Sequence, residues 1–205
     1  MTNQPDFGRR STIQRLAMTA GGLLIFPGIA AAHPIQHHLG DANALELADA
    51  KASASDYVPE LLDRHQFEML QTLAERIVPG SNNANSAQFI DQLLAVSTSE
   101  VQRGFLQALG GFERFAMARV STSWTHATED QQNTLLTAAS NEKPGTPPNA
   151  GAVSRARHVT IRDHFENLKG WIVGAYYSSE PGMRELGWTG NVFFTALPGC
   201  DHTDH

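Results

Sequence analysis

Cys200, His202 and His205 form a C-x-H-x2-H run in the closing stretch GCDHTDH, three soft or borderline metal donors within six residues. Zinc or copper takes such donors, but four-coordinate structural zinc needs a further ligand, and the common finger spacings are not met. No CxxC, HExxH or haem-attaching CxxCH occurs in the chain. The last residues of a chain fray unless they are docked. The tail therefore reads first as the end of a packing segment, with a stand-alone metal-binding protein using Cys200, His202 and His205 as the alternative. Cys200 is the only cysteine. It cannot close a disulfide within the chain and is free, bonded to another chain, or liganded.

Other groups with chemical potential have simpler readings. His33, His37 and His38 lie in sequence with no fixed geometry, which favours solvated side chains over ligands. The stretch DHFEN places Asp163, His164 and Glu166 within about a helical turn, the composition of acid–base machinery. No nucleophile, phosphate loop or metal motif accompanies them, and periodicity turns Phe165 inward and its neighbours outward, so a solvated helix face is expected. Asp91, in FIDQLL, flanks an apolar stripe and is placed to pair with a loop amide or a partner. GxGxxG, Walker and GxSxG motifs are absent. No catalytic or cofactor-binding residue is assigned.

The elements that must position these residues are helical. Apolar residues at 41% and charged residues at 18% indicate a folded domain rather than a disordered chain, and 205 residues suffice for one domain with a core. A net charge of −6 with no clustered basic face argues against nucleic acid and for protein or small-molecule partners. Helical periodicity begins after Pro59, with Phe67, Leu70, Leu73, Ala74, Ile77 and Val78 on one side and Pro79-Gly80 as a stop. Ser86 can cap a second helix carrying Phe89, Ile90, Leu93 and Leu94.

A long run from Glu100 to about Ser121 spaces Phe105, Leu109, Phe112, Ala116 and Val120 helically. The Gly110-Gly111 pair inside it costs about 1 kcal/mol per glycine, which close approach of another helix or a kink would explain. Thr128 and Gln131 form a capping-box pattern. A Pro/Gly loop separates that helix from a last one, from about Ser154 to Ser178. No sustained period-two strand is present. The expected fold is mainly α, an orthogonal bundle of about five helices over residues 59–205.

Two flanking segments differ in character. Residues 33–58 have few large apolar groups, too few to support a core, and read as an extended arm. Residues 176–205 hold Tyr176, Tyr177, Trp188, Phe193 and Phe194 among glycines and prolines. Large aromatics on irregular backbone must pack on the bundle or on another chain, so these residues, with Cys200, are expected at a partner interface.

Residues 1–32 have the layout of an export signal: a polar start with Arg9 and Arg10, an uncharged stretch from Leu16 to Ala32 broken by glycines and a proline, and Ala30–Ala32 as a small-residue cleavage site. That stretch is a poor spanning helix. The arginine pair resembles a twin-arginine signal, with Thr12 and Ile13 following the serine in place of the usual phenylalanine. Such signals export cargo that is already folded, so the chain folds around something before export or carries a partner that does.

In combination, FEMLQTLAERIVPG, SAQFIDQLL, GAYYSSEPGMRELGWTGNVF and PGCDHTDH resemble the gluconate 2-dehydrogenase subunit 3 family over roughly residues 60–205. Ala175 replaces the family's glycine, Trp188 replaces a tyrosine, and the loop SNNANSAQ lacks the frequent Pro-Gly-Ala. The resemblance implies a non-catalytic small subunit of a periplasmic dehydrogenase complex acting on a sugar or sugar acid. Its implied partners are an FAD-containing flavoprotein of the glucose-methanol-choline class, the twin-arginine translocase and a c-type cytochrome subunit. FAD would sit in the partner, with no cofactor on this chain. The small subunit would assist folding of the flavoprotein and carry the export signal for both.

Overall fold

Ten residues near the middle of the sequence explain the architecture. In Ser86–Ala95, eight of the ten side chains are buried: Ser86, Ala87, Phe89, Ile90, Asp91, Gln92, Leu93 and Leu94. A helix buried on nearly every side must be central, with other helices packed around it. The computed structural model describes residues 35, 38, 41–145 and 159–187. Among these the order is α1 (Ala42–Ala52), α2 (Arg64–Ile77), α3 (Ser86–Ala95), α4 (Ser99–Val120), α5 (Glu129–Asn141), α6 (Ile161–Tyr177) and α7 (Glu180–Glu185), with a 3-10 turn at Trp124–His126. No strand occurs among the described residues. The mainly α fold matches the periodicity.

Helix α3 packs against α1, α2, α4 and α6, and α6 in turn meets α2, α3, α4, α5 and α7. The core between them holds Trp124, Trp171, Phe89, Phe105 and Phe112 with a set of leucines, all almost fully buried. Phe105 meets Trp171 edge-on at 6.0 Å, and Phe112 meets Trp124 edge-on at 5.4 Å. Each such ring contributes about 1.5–3 kcal/mol by burial, and the edge-on geometry adds to it.

Local chemistry places the helix ends. Asp63 and Gln66 form a capping box that starts α2 at Arg64. The helix therefore begins later than Pro59, and residues 59–63 form a loop. Thr128 and Gln131 cap α5 as their spacing predicts. Thr160 and Asp163 do the same for α6, so that helix starts at Ile161 and not near Ser154. Ser86 is not the cap of α3. Asn85, at φ 51°, holds that position without a side-chain bond, and Ser86 is the first helical residue.

The segment 33–58, expected as an extended arm, contains α1, which places Leu45, Ala48 and Ala52 in the core. Asp41 accepts from Ala44 N at 3.0 Å and starts the helix. Alanines allow close packing on α3, so few large side chains were needed, which is why composition understated this element.

Of the glycine pair in α4, Gly111 has the close-approach explanation, while Gly110 faces only Arg114 of its own helix. Helix α4 lies along α6, and a Cβ on Gly111 would overlap the His164 ring at Cδ2 and Nε2. His164 is thus half-buried against α4 rather than solvated. Burial, helped by the Arg114 charge and opposed by Asp163, lowers its pKa below the ordinary histidine value.

Two expectations follow. Gly111→Ala gains about 1 kcal/mol of helix propensity but forces the imidazole out at about 1–3 kcal/mol. A net loss is expected, seen as a melting temperature a few degrees lower, and His164→Ala should restore it in the double variant. A melting temperature that rises in Gly111→Ala alone would contradict the packing. For His164, a folded-state pKa below the unfolded value means that stability is complete above about pH 6.5. It falls as the unfolded state takes up the proton first. His164→Gln should flatten that acid-side decline in a pH series of thermal melts.

Candidate functional site

The most heavily engaged polar group is Asp91, fully buried in the middle of α3. Its Oδ2 accepts from Tyr57 Oη at 2.6 Å and from Glu60 N at 2.7 Å. Its Oδ1 accepts from Leu61 N at 3.2 Å and Leu62 N at 2.8 Å. A carboxylate has about four acceptor sites, so Asp91 is saturated. The loop amide expected to pair with it is three consecutive amides. Tyr57 also receives Gln92 Nε2 at 3.0 Å and stacks on Phe67 at 5.6 Å. Burial first, then the Asp91 carboxylate, push the Tyr57 phenol well above its usual range. This cluster fastens a loop to a helix and leaves no lone pair for acid–base work.

A second cluster joins the end of α2 to α6 and α7. Glu75 accepts from Gly80 N at 2.8 Å and Asn82 N at 2.9 Å, so the turn after Val78 is held by a side chain of the helix it terminates. Gly80, at φ 92°, takes a backbone conformation that suits glycine, and the Tyr176 ring lies over it. Tyr176 Oη donates to Glu185 Oε2 at 2.9 Å, and Tyr177 packs edge-on against Tyr176 at 5.1 Å. Burial and Glu185 raise the Tyr176 pKa. The turn after α2 and the end of α6 thus meet at one place.

A third cluster fixes the 3-10 turn. Trp124 Nε1 donates to Thr72 Oγ1 at 2.9 Å, Trp124 N to Glu113 Oε2 at 3.0 Å, and Gln132 Nε2 to Trp124 O at 3.0 Å. Arg76 links Gln132 at 3.1 Å and Glu129 at 3.1 Å, closing α2 onto α5. The buried tryptophan has every polar atom satisfied, as burial requires.

The Asp163, His164 and Glu166 trio is dispersed among structural tasks. Asp163 Oδ2 accepts from Thr160 N at 2.8 Å and Gly145 N at 3.0 Å, capping α6 and holding the preceding loop. Glu166 pairs with Arg162 at 2.8 Å and Lys169 at 2.6 Å along the same helix. His164 packs on Gly111. Phe165 is buried and Glu166 keeps a partly exposed ion-pair ladder, as a solvated face predicts, but that reading is corrected for Asp163, a cap, and for His164, a packing contact.

Of the residues expected at a partner interface, Tyr176 is buried within this chain and Tyr177 is half-buried. Trp188, Phe193, Phe194 and Cys200 lie outside the described residues, as do the alternative metal donors His202 and His205 and the export-signal pair Arg9 and Arg10. Among the described residues, no group of three His, Cys, Asp or Glu side chains could hold a metal ion. His38, expected to be solvated, is instead buried, with Nε2 2.9 Å from Ser97 Oγ. His33 and His37 lie outside the described residues. No described helix is long and apolar enough to cross a membrane.

Sequence reasoning missed Tyr57, Glu75, Glu113 and Gln132. Tyr57 and Glu75 bond across 34 residues and to the following turn, respectively. Only Glu75 had a readable signal, an acidic residue in the last helical turn before Pro-Gly.

Removing the Asp91 carboxylate strands three amides and a phenol. Asp91→Ala should cost about 3 kcal/mol or more in urea unfolding, since bonds to a charged acceptor contribute about 1.5–3 kcal/mol each. Tyr57→Phe, which leaves the amides paired, should cost about 1 kcal/mol. Equal losses in the two variants would show that the amides find other partners.

No curated protein and no solved structure matches the chain. A family match does exist, to gluconate 2-dehydrogenase subunit 3, and covers residues 64–199. It spans α2 to α7 and therefore all three polar clusters except the Tyr57–Leu62 side of the first. The chain belongs to the gluconate 2-dehydrogenase subunit 3 family.

Proposed function

We propose that this protein is the non-catalytic small subunit of a periplasmic FAD-dependent dehydrogenase acting on a sugar or sugar acid. The observation that carries the reading is the family match over residues 64–199. The geometry supports it: the buried carboxylate, the acid–base trio and the buried tryptophan are each engaged in holding helices together. What remains for function is surface and the flanking segments. FAD belongs to the partner, a flavoprotein of the glucose-methanol-choline class, and a c-type cytochrome subunit accepts the electrons.

Residues 1–32 serve as the twin-arginine signal for the pair, with Arg9 and Arg10 read by the translocase. The flavoprotein docks on residues 176–205, where Tyr177, Trp188, Phe193 and Phe194 supply apolar anchors and Cys200 is either shielded or bonded across the interface. Leu186, 64% exposed at the end of α7, is a large apolar side chain at the point where this segment departs. A permanent complex of this kind buries on the order of 2,000 Å² or more, and a segment that orders on binding supplies area without a large exposed patch beforehand.

Affinity purification of the full chain from its native host should bring down a yellow flavoprotein, and the chain expressed alone should show no flavin absorbance. Deleting the gene should leave the flavoprotein in the cytoplasm. Normal export of the flavoprotein in the deletion strain would refute the escort role, and its absence from the purified material would refute the partnership.

A further inference from the structure

Most cations of the described chain already have a carboxylate. Lys51, Arg64, Arg76, Arg162, Lys169 and Arg184 each form an ion pair, and Arg119 lies over the Phe115 ring at 5.2 Å. Lys143, Arg103 and Arg114 have no ion pair among the described residues, although the chain has 21 acidic residues against 15 basic. Two of these three are on α4, and both are exposed.

Arg103, Gln107, Gly110, Arg114 and Met117 follow one another at steps of four and three. Residues so spaced form one stripe along a helix, the seam against which a second helix packs. The core side of α4 is a different one, with Phe105, Ala108, Leu109, Phe112 and Ala116 buried. Arg103, Gln107, Arg114 and Met117 are all exposed, Met117 by 50%. Gly110 sits in the middle of the stripe. A Cβ there would meet only the Arg114 guanidinium of the same helix, at 3.5 Å, and a Cβ on Gly104, beside Arg103, would meet nothing within 4 Å. Packing inside the chain therefore explains Gly111 and leaves Gly104 and Gly110 as open ground where another backbone can come close. Arginine and methionine are enriched at protein interfaces, where lysine and carboxylates are depleted. The stripe holds the first pair and none of the second group.

Charge decides between the occupants. A second copy of this chain, packed stripe to stripe, would bring four arginines together with no carboxylate from either stripe, a like-charge arrangement that opposes association. Membranes are held by clusters of about four to eight cations, and nucleic acids by a similar number of phosphate contacts. Two arginines separated by about 16 Å of helix are too few for either. An acidic helix pairs both of them and can lay small or apolar side chains over Gly110 and Met117.

We propose that the outer face of α4 is a second docking surface, seating a helix of the flavoprotein that carries carboxylates about three turns apart. The identity of that partner rests on the subunit reading above. Phe105 against Trp171 and Gly111 against His164 set α4 antiparallel to α6. The Arg103 end of the stripe is thus at the same end of the bundle as the C-terminal end of α6, where the proposed docking segment begins, and one partner can engage both.

The complex purified from the native host tests the surface. With p-benzoylphenylalanine in place of Gln107, irradiation should join the chain to the flavoprotein, at a peptide with Asp or Glu within a helical turn of the attachment point. Attachment to a second copy of this chain or to a phospholipid, or none to the flavoprotein, would overturn the proposal. Arg114→Glu should lower the flavin recovered per mole of chain at least tenfold, with its melting temperature changed by no more than about 2 °C. Lys51→Glu, the same charge change on α1, should leave recovery as in the wild type; equal losses in the two would mean a net-charge effect and no α4 site. Gly110→Leu should hold or raise the melting temperature of the chain on its own while lowering flavin recovery at least tenfold. Full recovery in Arg114→Glu and Gly110→Leu would strike the α4 surface alone, whereas a wild-type chain that brings down no flavoprotein would strike the subunit assignment and this proposal with it.

Discussion

The Asp91 carboxylate is the constraint around which the chain is arranged. It lies in the interior of a helix whose other buried side chains are mostly apolar, a place where an ion without partners would be prohibitively costly. Four donors from one short loop saturate it. That pairing works in two directions. The amides of residues 60–62 precede a helix and have no backbone partner of their own, while the carboxylate needs donors that do not compete for other acceptors. Each solves the burial problem of the other, and the path of the chain between α1 and α2 is thereby fixed against α3.

The same logic recurs at the other turns. Glu75 holds the amides after α2, Glu113 holds the amide that opens the 3-10 turn, and Asp163 holds those on both sides of the 145–160 connection. In each case an acidic side chain from a helix captures backbone donors of a neighbouring loop. Bonds of this kind are charge-assisted and directional, so loops that carry few apolar groups are nonetheless placed accurately. The net negative charge of the chain is thus partly a structural resource: several of its carboxylates are engaged with amides rather than displayed to partners.

How much of this was legible depended on the range of the interaction. Helix existence was readable because periodicity is local: Leu70, Leu73 and Ala74 in α2, or Phe105, Leu109 and Phe112 in α4, announce their faces within a few residues. At Gly111, though not at Gly110, the glycine pair signalled a close approach, and only the structure names His164 as what fills the space. Asp91 could be singled out as a polar residue on an apolar stripe, but not its donors 29 to 34 residues away. Helix α1 was missed for a different reason. Its buried face is Leu45, Ala48 and Ala52, and small side chains signal close packing only when the opposing surface is known. The aromatic segment was read from residue 176 as a unit, yet Tyr176 is spent inside the bundle, on Gly80 and Glu185. An aromatic count cannot separate a ring that closes a fold from one that waits for a partner.

That division has a consequence for a subunit whose own polar groups are so fully occupied. Two contacts from opposite ends of the described chain are tied to the same helix. Ile35 reaches Gly174 from the N-terminal side, and Tyr176, two positions later on α6, closes over the turn at Gly80 before the chain leaves through α7. Helix α6 also packs against α2, α3, α4, α5 and α7, so the surrounding helices fix where its last turn lies. Ile35 and the Gly80 turn thus take their positions from a helix that most of the bundle holds in place.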